Sequence, residues 1–183
     1  MHKLTCRLLG VAALAGAVAM LAAASSPVVM EFRLSSAAFA NNQAIPRAHA
    51  CDGDNTSPAL RWDGAPPSTR SLALIVHDPD APAGDFTHWL VYDLPATLSE
   101  LPSGKYEGAQ FPLGGLEGKN SFGNLGYGAP CPPAGPPHHY VFTIYALSAP
   151  KLGLAPGASQ DDLVKAMQGK ILAQATLVGL YQR

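Results

Sequence analysis

The residues best suited to chemistry in this chain stand at the ends of apolar, β-rich runs. Asp78 closes the run 71–78 and leads into Pro79-Asp80-Ala81-Pro82. His88 opens the run Thr87-His88-Trp89-Leu90-Val91-Tyr92-Asp93, and His138 and Tyr140 open His138-His139-Tyr140-Val141-Phe142-Thr143-Ile144-Tyr145. Gly126-Tyr127-Gly128 and Pro130-Cys131-Pro132-Pro133 fall between the last two. A carboxylate such as Asp78 beside a histidine fixes the ring's tautomer and favours its protonated form. An imidazolium, a Tyr hydroxyl and the N–H groups of the Gly-rich segment 123–128 could together hold an oxyanion without Lys or Arg. Binding through an imidazolium should weaken as pH rises through the histidine range, near ~6.5 in an unperturbed ring.

Rival chemistry uses the same side chains. Asp78, His88 and His138 form a one-carboxylate, two-imidazole set that zinc and iron accept. Cys131 and His138 could act as a thiol nucleophile and its base in a hydrolase, though flanking prolines and a bridged Cys131 would oppose that. The serine-hydrolase elbow Gly-x-Ser-x-Gly and the zinc motif His-Glu-x-x-His do not occur. Asp78 and Asp80 could instead organise the Asp-Pro-Asp turn through their own side chains. His49 reads as a loop residue, and Trp62 and Trp89 as core or rim packing.

Strands must position these groups, because side chains alternate faces along a strand. Asp78 shares parity with Leu72, Leu74 and Val76, and His138 with Tyr140, Phe142 and Ile144. A titratable group on the core-side parity at a strand's end sits at the rim of a core, where small-ligand pockets form. His77 and His139 fall on the opposite parity. Candidate strands are 30–34, 58–63, 71–78, 87–93, 138–147 and 171–181. Their turn-separated spacing, without alternating helices, predicts an antiparallel sandwich or barrel. One helix is signalled by Ser159 as N-cap, Asp162 three residues on, the apolar face Leu163, Val164 and Met167, and the stop at Gly169. The segment 101–137 is long and rich in Gly and Pro, as functional or disordered loops are.

The beginning of the chain bears on compartment. His2, Lys3 and Arg7 precede a Leu/Ala/Val/Gly/Met stretch over 8–21, and Ala22-Ala23-Ala24 offers a small-x-small cleavage site. The stretch is short for a membrane span of ~20 residues. The expectation is a signal peptide over 1–24 and one domain over 25–183, periplasmic or secreted. Loss of the leader removes Lys3 and Arg7 and leaves ten basic against thirteen acidic residues, a net charge of −3. With no basic stripe, nucleic-acid binding lacks its electrostatic footprint. Cys51 and Cys131 then remain as an even pair in an oxidising setting, which predicts a disulfide over two separate thiols.

Asp78-Pro79-Asp80-Ala81-Pro82, His88-Trp89, Gly126-Tyr127-Gly128, Pro130-Cys131-Pro132-Pro133 and His138-x-Tyr140, taken in this order, resemble the phosphatidylethanolamine-binding protein family. Cys51-Asp52-Gly53-Asp54-Asn55-x-Ser57-Pro58-x-Leu60-x-Trp62 is similar to its bacterial Raf-kinase-inhibitor-like branch. The resemblance implies a two-sheet antiparallel β-sandwich with a preformed anion pocket for phosphate-like head groups. It implies binding without catalysis, no cofactor, and a protein partner in the manner of eukaryotic members that regulate kinases. It also brings the two Cys-bearing loops near that pocket. Carried over position by position, it puts Asp78, Asp80, His88, Pro132, His138 and Tyr140 around the pocket, with Tyr127 and Gly128 lining it. His139 stands where eukaryotic members have Arg, and no further helix follows Tyr181-Gln182-Arg183, which implies a more open pocket.

Overall fold

A computed structural model describes residues 30–183, so the expected leader lies outside the described residues. In chain order the strands are β1 (Arg33–Ser36), β2 (Gln43–Ala44), β3 (Leu60–Asp63), β4 (Ser71–Asp78), β5 (Phe86–Pro95), β6 (Glu100–Leu101), β7 (Leu116–Glu117), β8 (His138–Leu147) and β9 (Ile171–Tyr181). A single α-helix among the described residues, α1 (Gln160–Met167), precedes β9. Two sheets form, β1-β3-β6 and β2-β9-β8-β4-β5-β7. Every strand pairing is antiparallel except β2 with β9, so the larger sheet is mixed at one edge rather than wholly antiparallel. The first strand begins at Arg33, three residues later than the sequence pattern suggests. Its extent is set by pairing with β3, Arg33 opposite Asp63 and Ser36 opposite Leu60.

The sequence of β4 explains its central place. Leu72, Leu74 and Val76 face the smaller sheet and pack with Leu34, Leu60, Trp62, Phe142 and Ile144. Ala73 and Ile75 face the other way, against Leu90, Tyr92, Leu147 and the helix residues Leu163 and Met167. A strand apolar on both parities is stable only when both faces are covered, here by a sheet and by α1. The helix starts as its sequence predicts: the Ser159 side chain accepts from the Asp162 N–H and Asp162 reaches back to the Ser159 N–H. The exposed part of α1 includes Val164, while Leu163 and Met167 are buried.

The segment 101–137 is ordered by its own polar side chains and by short strands that composition did not reveal. Asn120, buried, accepts from the N–H groups of Phe122 and Asn124 and donates to the Gly126 carbonyl at 3.0 Å. Gly126 has φ +90°, and a Cβ there would meet the Tyr106 carbonyl at 1.8 Å. Only glycine fits that approach.

Candidate functional site

One end of the larger sheet gathers the titratable groups. Asp78 at the end of β4 and His138 at the start of β8 are 3% and 8% exposed. The His138 Nδ1–H donates to Asp78 Oδ2 at 2.7 Å. The second oxygen, Asp78 Oδ1, accepts from the Asp80 N–H at 2.8 Å. Asp78 therefore both orients the ring and organises the turn. With Nδ1 committed, His138 offers Nε2, which donates only when the ring is doubly protonated.

His88 reaches the same place through a β-bulge. Val76 pairs with Trp89 and His77 with Thr87, so His88 is an extra residue on β5. Strict alternation from Leu90 and Tyr92 would turn His88 toward the helix side. The bulge re-aims it into the cluster beside Tyr140, as bulges near functional sites commonly do. Its Nδ1–H donates to the Gly128 carbonyl at 2.6 Å, and the Gly128 N–H donates back to the His88 carbonyl at 2.8 Å. Burial lowers the pKa of His88, with Gly128 and the Asp78 charge opposing. Burial thus disfavours its charged form. Phe86, Phe122 and Tyr140 surround it, with ring centroids 5.1, 5.6 and 5.1 Å away.

Tyr140 is fully buried, and its hydroxyl has no hydrogen-bond partner among the described residues. Burial raises its pKa and the nearby Asp78 carboxylate raises it further. The hydroxyl lies near the Asp78 carboxylate and the Cys131 backbone, both of which act on its pKa, without completing a well-formed hydrogen bond to either. Such an orphaned donor costs about 1–3 kcal/mol.

The remaining predicted residues divide. Pro132 is buried, and its carbonyl accepts from Arg183 Nε at 2.7 Å. Asp80 is held outside the cluster: its Oδ2 accepts from the His139 N–H at 2.8 Å and from His139 Nδ1 at 2.7 Å, and these bonds lower its pKa. His139 thus pins the 79–85 loop. The loop's other end is held by Asp85, which pairs with His77 and accepts from Gln160 of α1. Tyr127 belongs to the core. Its hydroxyl donates to the His49 carbonyl at 2.8 Å and its ring lies edge-on to Trp89, 5.6 Å away. Cys51 and Cys131 are joined, with Cα atoms 5.4 Å apart, bracing the segment that carries Pro132.

The expectation that the Gly-rich segment 123–128 exposes N–H donors does not hold for Gly123, Asn124 and Gly128, whose N–H groups are used internally. A cavity of about 550 Å³ opens beside the cluster, lined in part by Tyr106, Asn120, Phe122, Tyr127 and Gly128. It contains none of Asp78, His88, His138 or Tyr140, and its buried Asn120 is already satisfied by the loop. The histidine cluster is therefore the candidate site, because the Tyr140 hydroxyl there has no hydrogen-bond partner among the described residues. Among the described residues no group of three or more His, Cys, Asp or Glu side chains is disposed to hold a metal ion. The disulfide also removes Cys131 as a thiol nucleophile. Sequence reasoning missed Asn120, Phe86, Phe122 and Arg183; only the Asn-x-x-Gly spacing of 120–123 hinted at a side-chain-organised turn.

Comparison with known proteins identifies the family. The family model for phosphatidylethanolamine-binding protein matches residues 35–182. The chain belongs to the phosphatidylethanolamine-binding protein family. A relative from Aquifex aeolicus, a UPF0098 protein, is 48% identical over 154 residues, covering 81% of this chain and 86% of that protein. The crystal structure of YbcL from Escherichia coli superposes with a TM-score of 0.79 at 34% identity, covering 84% of this chain and 99% of YbcL. The CT736 homologue from Chlamydia trachomatis gives 0.75 at 37% identity, with 84% and 98% covered. Membership accounts for the mainly β, two-sheet architecture. No helix among the described residues is long and apolar enough to cross a membrane.

Proposed function

We propose that this protein is a non-enzymatic, exported binding protein that captures a small oxyanion, a phosphate or phosphorylated head group. By the family resemblance it would also modulate a protein partner. One observation carries the reading: the buried Tyr140 hydroxyl has no partner and stands in a cluster with the Asp78–His138 pair. An oxyanion would accept from that hydroxyl and from His138 Nε2–H, while Asp78 balances the imidazolium. Recognition without turnover is supported by the same atoms. Asp78 has both oxygens engaged and Cys131 is bridged, so neither is free to act as base or nucleophile. His88 and the Phe86 and Phe122 rings supply a rigid, apolar wall for the group that carries the anion. Export is supported by the leader-like pattern of residues 1–24 and by the Cys51–Cys131 bridge, since disulfides persist in oxidising compartments.

Calorimetric titration of the protein with phosphate and phosphoethanolamine, below and above the histidine range, tests the reading. Binding that, for a given ionisation state of the phosphate group, is stronger at the lower pH and is lost in His138→Ala is expected. Absence of binding by every anion tried at both pH values defeats it.

A further inference from the structure

The C-terminal strand leads to a residue that the anion reading did not include. β9 runs beside β8 with Tyr181 opposite His138. Two residues on, Arg183 lies against the same end of the sheet. Its Nε donates to the carbonyl of the buried Pro132 at 2.7 Å. That segment is itself fixed by the Cys51–Cys131 bridge and by the Cys51 N–H donating to the Pro130 carbonyl at 3.0 Å. The tether uses only Nε. Among the described residues the two Nη groups meet no hydrogen-bond acceptor and form no ion pair, so the outer face of the guanidinium is available. The charge is also felt inside the cluster: it opposes the upward pKa shift of Tyr140.

We propose that Arg183 is a further anion-binding residue, whose guanidinium fork completes the Tyr140–His138 site and selects doubly charged, phosphate-type oxyanions. This deepens the anion-binding reading and rests on it. The charge count supplies the reason. Asp78 and a protonated His138 cancel, and Asp80 is paired with His139 on the exposed side. Without another cation the cluster would be neutral and would have little net attraction for a dianion. Arg183 adds a positive charge; the Asp52 carboxylate also feels that charge but is itself paired with Arg47 at 3.4 Å. The planar fork of Arg183 fits two oxygens of a phosphoryl group at once, which a lysine cannot do. The Nε–Pro132 bond holds the fork in one orientation beforehand, so less side-chain freedom is lost on binding. Singly charged oxyanions, and those lacking two oxygens in the fork's plane, gain less from it.

The test is calorimetry on the whole protein with inorganic phosphate and chloride-balanced buffers, comparing wild type, Arg183→Gln, Arg183→Lys and His138→Ala. Gln retains a donor toward Pro132 but no charge, and Lys retains charge without the fork. Expected are a loss of tenfold or more in Arg183→Gln, a smaller loss in Arg183→Lys, and a flatter salt dependence in Arg183→Gln alone, with thermal midpoints near that of wild type. Phosphate binding by Arg183→Gln at wild-type affinity, with His138→Ala impaired, overturns the role of Arg183 and leaves the anion site standing. Equal losses in both Arg183 variants together with a lowered thermal midpoint overturn it too, because the residue would then be only a structural tether. If wild type binds neither phosphate nor phosphoethanolamine, the underlying reading fails, and this inference with it.

Discussion

Replacing Tyr140 by Phe should move stability and affinity in opposite directions, and the structure sets both magnitudes. The ring contacts are kept, including the edge contact with His88 at 5.1 Å. Only the hydroxyl is lost, and it is buried without a partner. An unsatisfied buried hydroxyl costs about 1–3 kcal/mol, so its removal should stabilise the unliganded protein by on the order of 1 kcal/mol. For a domain of this size that raises the thermal midpoint by about 2–4 °C. A bound oxyanion would accept a charge-assisted bond from the hydroxyl, worth about 1.5–3 kcal/mol. Its loss weakens binding roughly 10- to 150-fold. Differential scanning calorimetry without ligand and titration with phosphate read the two effects on one preparation. A variant that is less stable than wild type and binds equally well would refute the reasoning. It would mean that the hydroxyl is satisfied within the protein, by Asp78, and contributes nothing to a ligand.

Glu117 supplies a pH signature independent of the site. Only Oε2 of this buried carboxyl has a partner, the Trp89 Nε1–H at 3.0 Å, and burial pushes its pKa up from 4.5 to about 8. The folded state keeps a proton that the unfolded chain releases above pH 4.5. This contribution to stability is therefore complete below that pH and falls by about 1.4 kcal/mol per unit up to pH 8, by at most about 5 kcal/mol. Urea titrations of Glu117→Gln across this range should show a flatter profile and a gain over wild type at pH 8; parallel profiles would remove the argument. Reduction of Cys51–Cys131 opens a loop spanning a sequence separation of 80. The chain-entropy cost is about 4 kcal/mol, and calorimetry in reductant should show a drop on the order of 10 °C. His139→Ala should release the Asp80 pin, with faster amide exchange over 79–85 by mass spectrometry and less than a threefold change in phosphate affinity; unchanged exchange would show that the pin is idle. Export should leave a chain beginning near residue 25, read by N-terminal sequencing.

Much of the architecture was legible because it rests on local rules. The runs 71–78, 138–147 and 171–181 are strands with the expected bounds, since alternating β-branched and aromatic residues suit a pleated, buried surface. Helix α1 was legible from a capping box that works through residues three apart. The short strands β2, β6 and β7 were not, because two residues carry no periodicity and exist only where a neighbour pairs with them.

The site divides along the same line. Sequence parity alone places Asp78, His138 and Tyr140 on core-facing positions at strand ends, because the side-chain period of a strand is two. It also separates His77 and His139 onto the other face, where the structure finds them paired with Asp85 and Asp80. What parity could not supply is the position of His88, which depends on one extra residue in β5 relative to β4. Nor could it tell which N–H groups were already taken, as at Gly128, or that Tyr127 would give its hydroxyl to His49. Arg183 is 51 residues from the Pro132 carbonyl it meets. Strand periodicity is a property of neighbours along the chain. Bulges, committed donors and distant cations are properties of neighbours in space, so only the tertiary structure decides them.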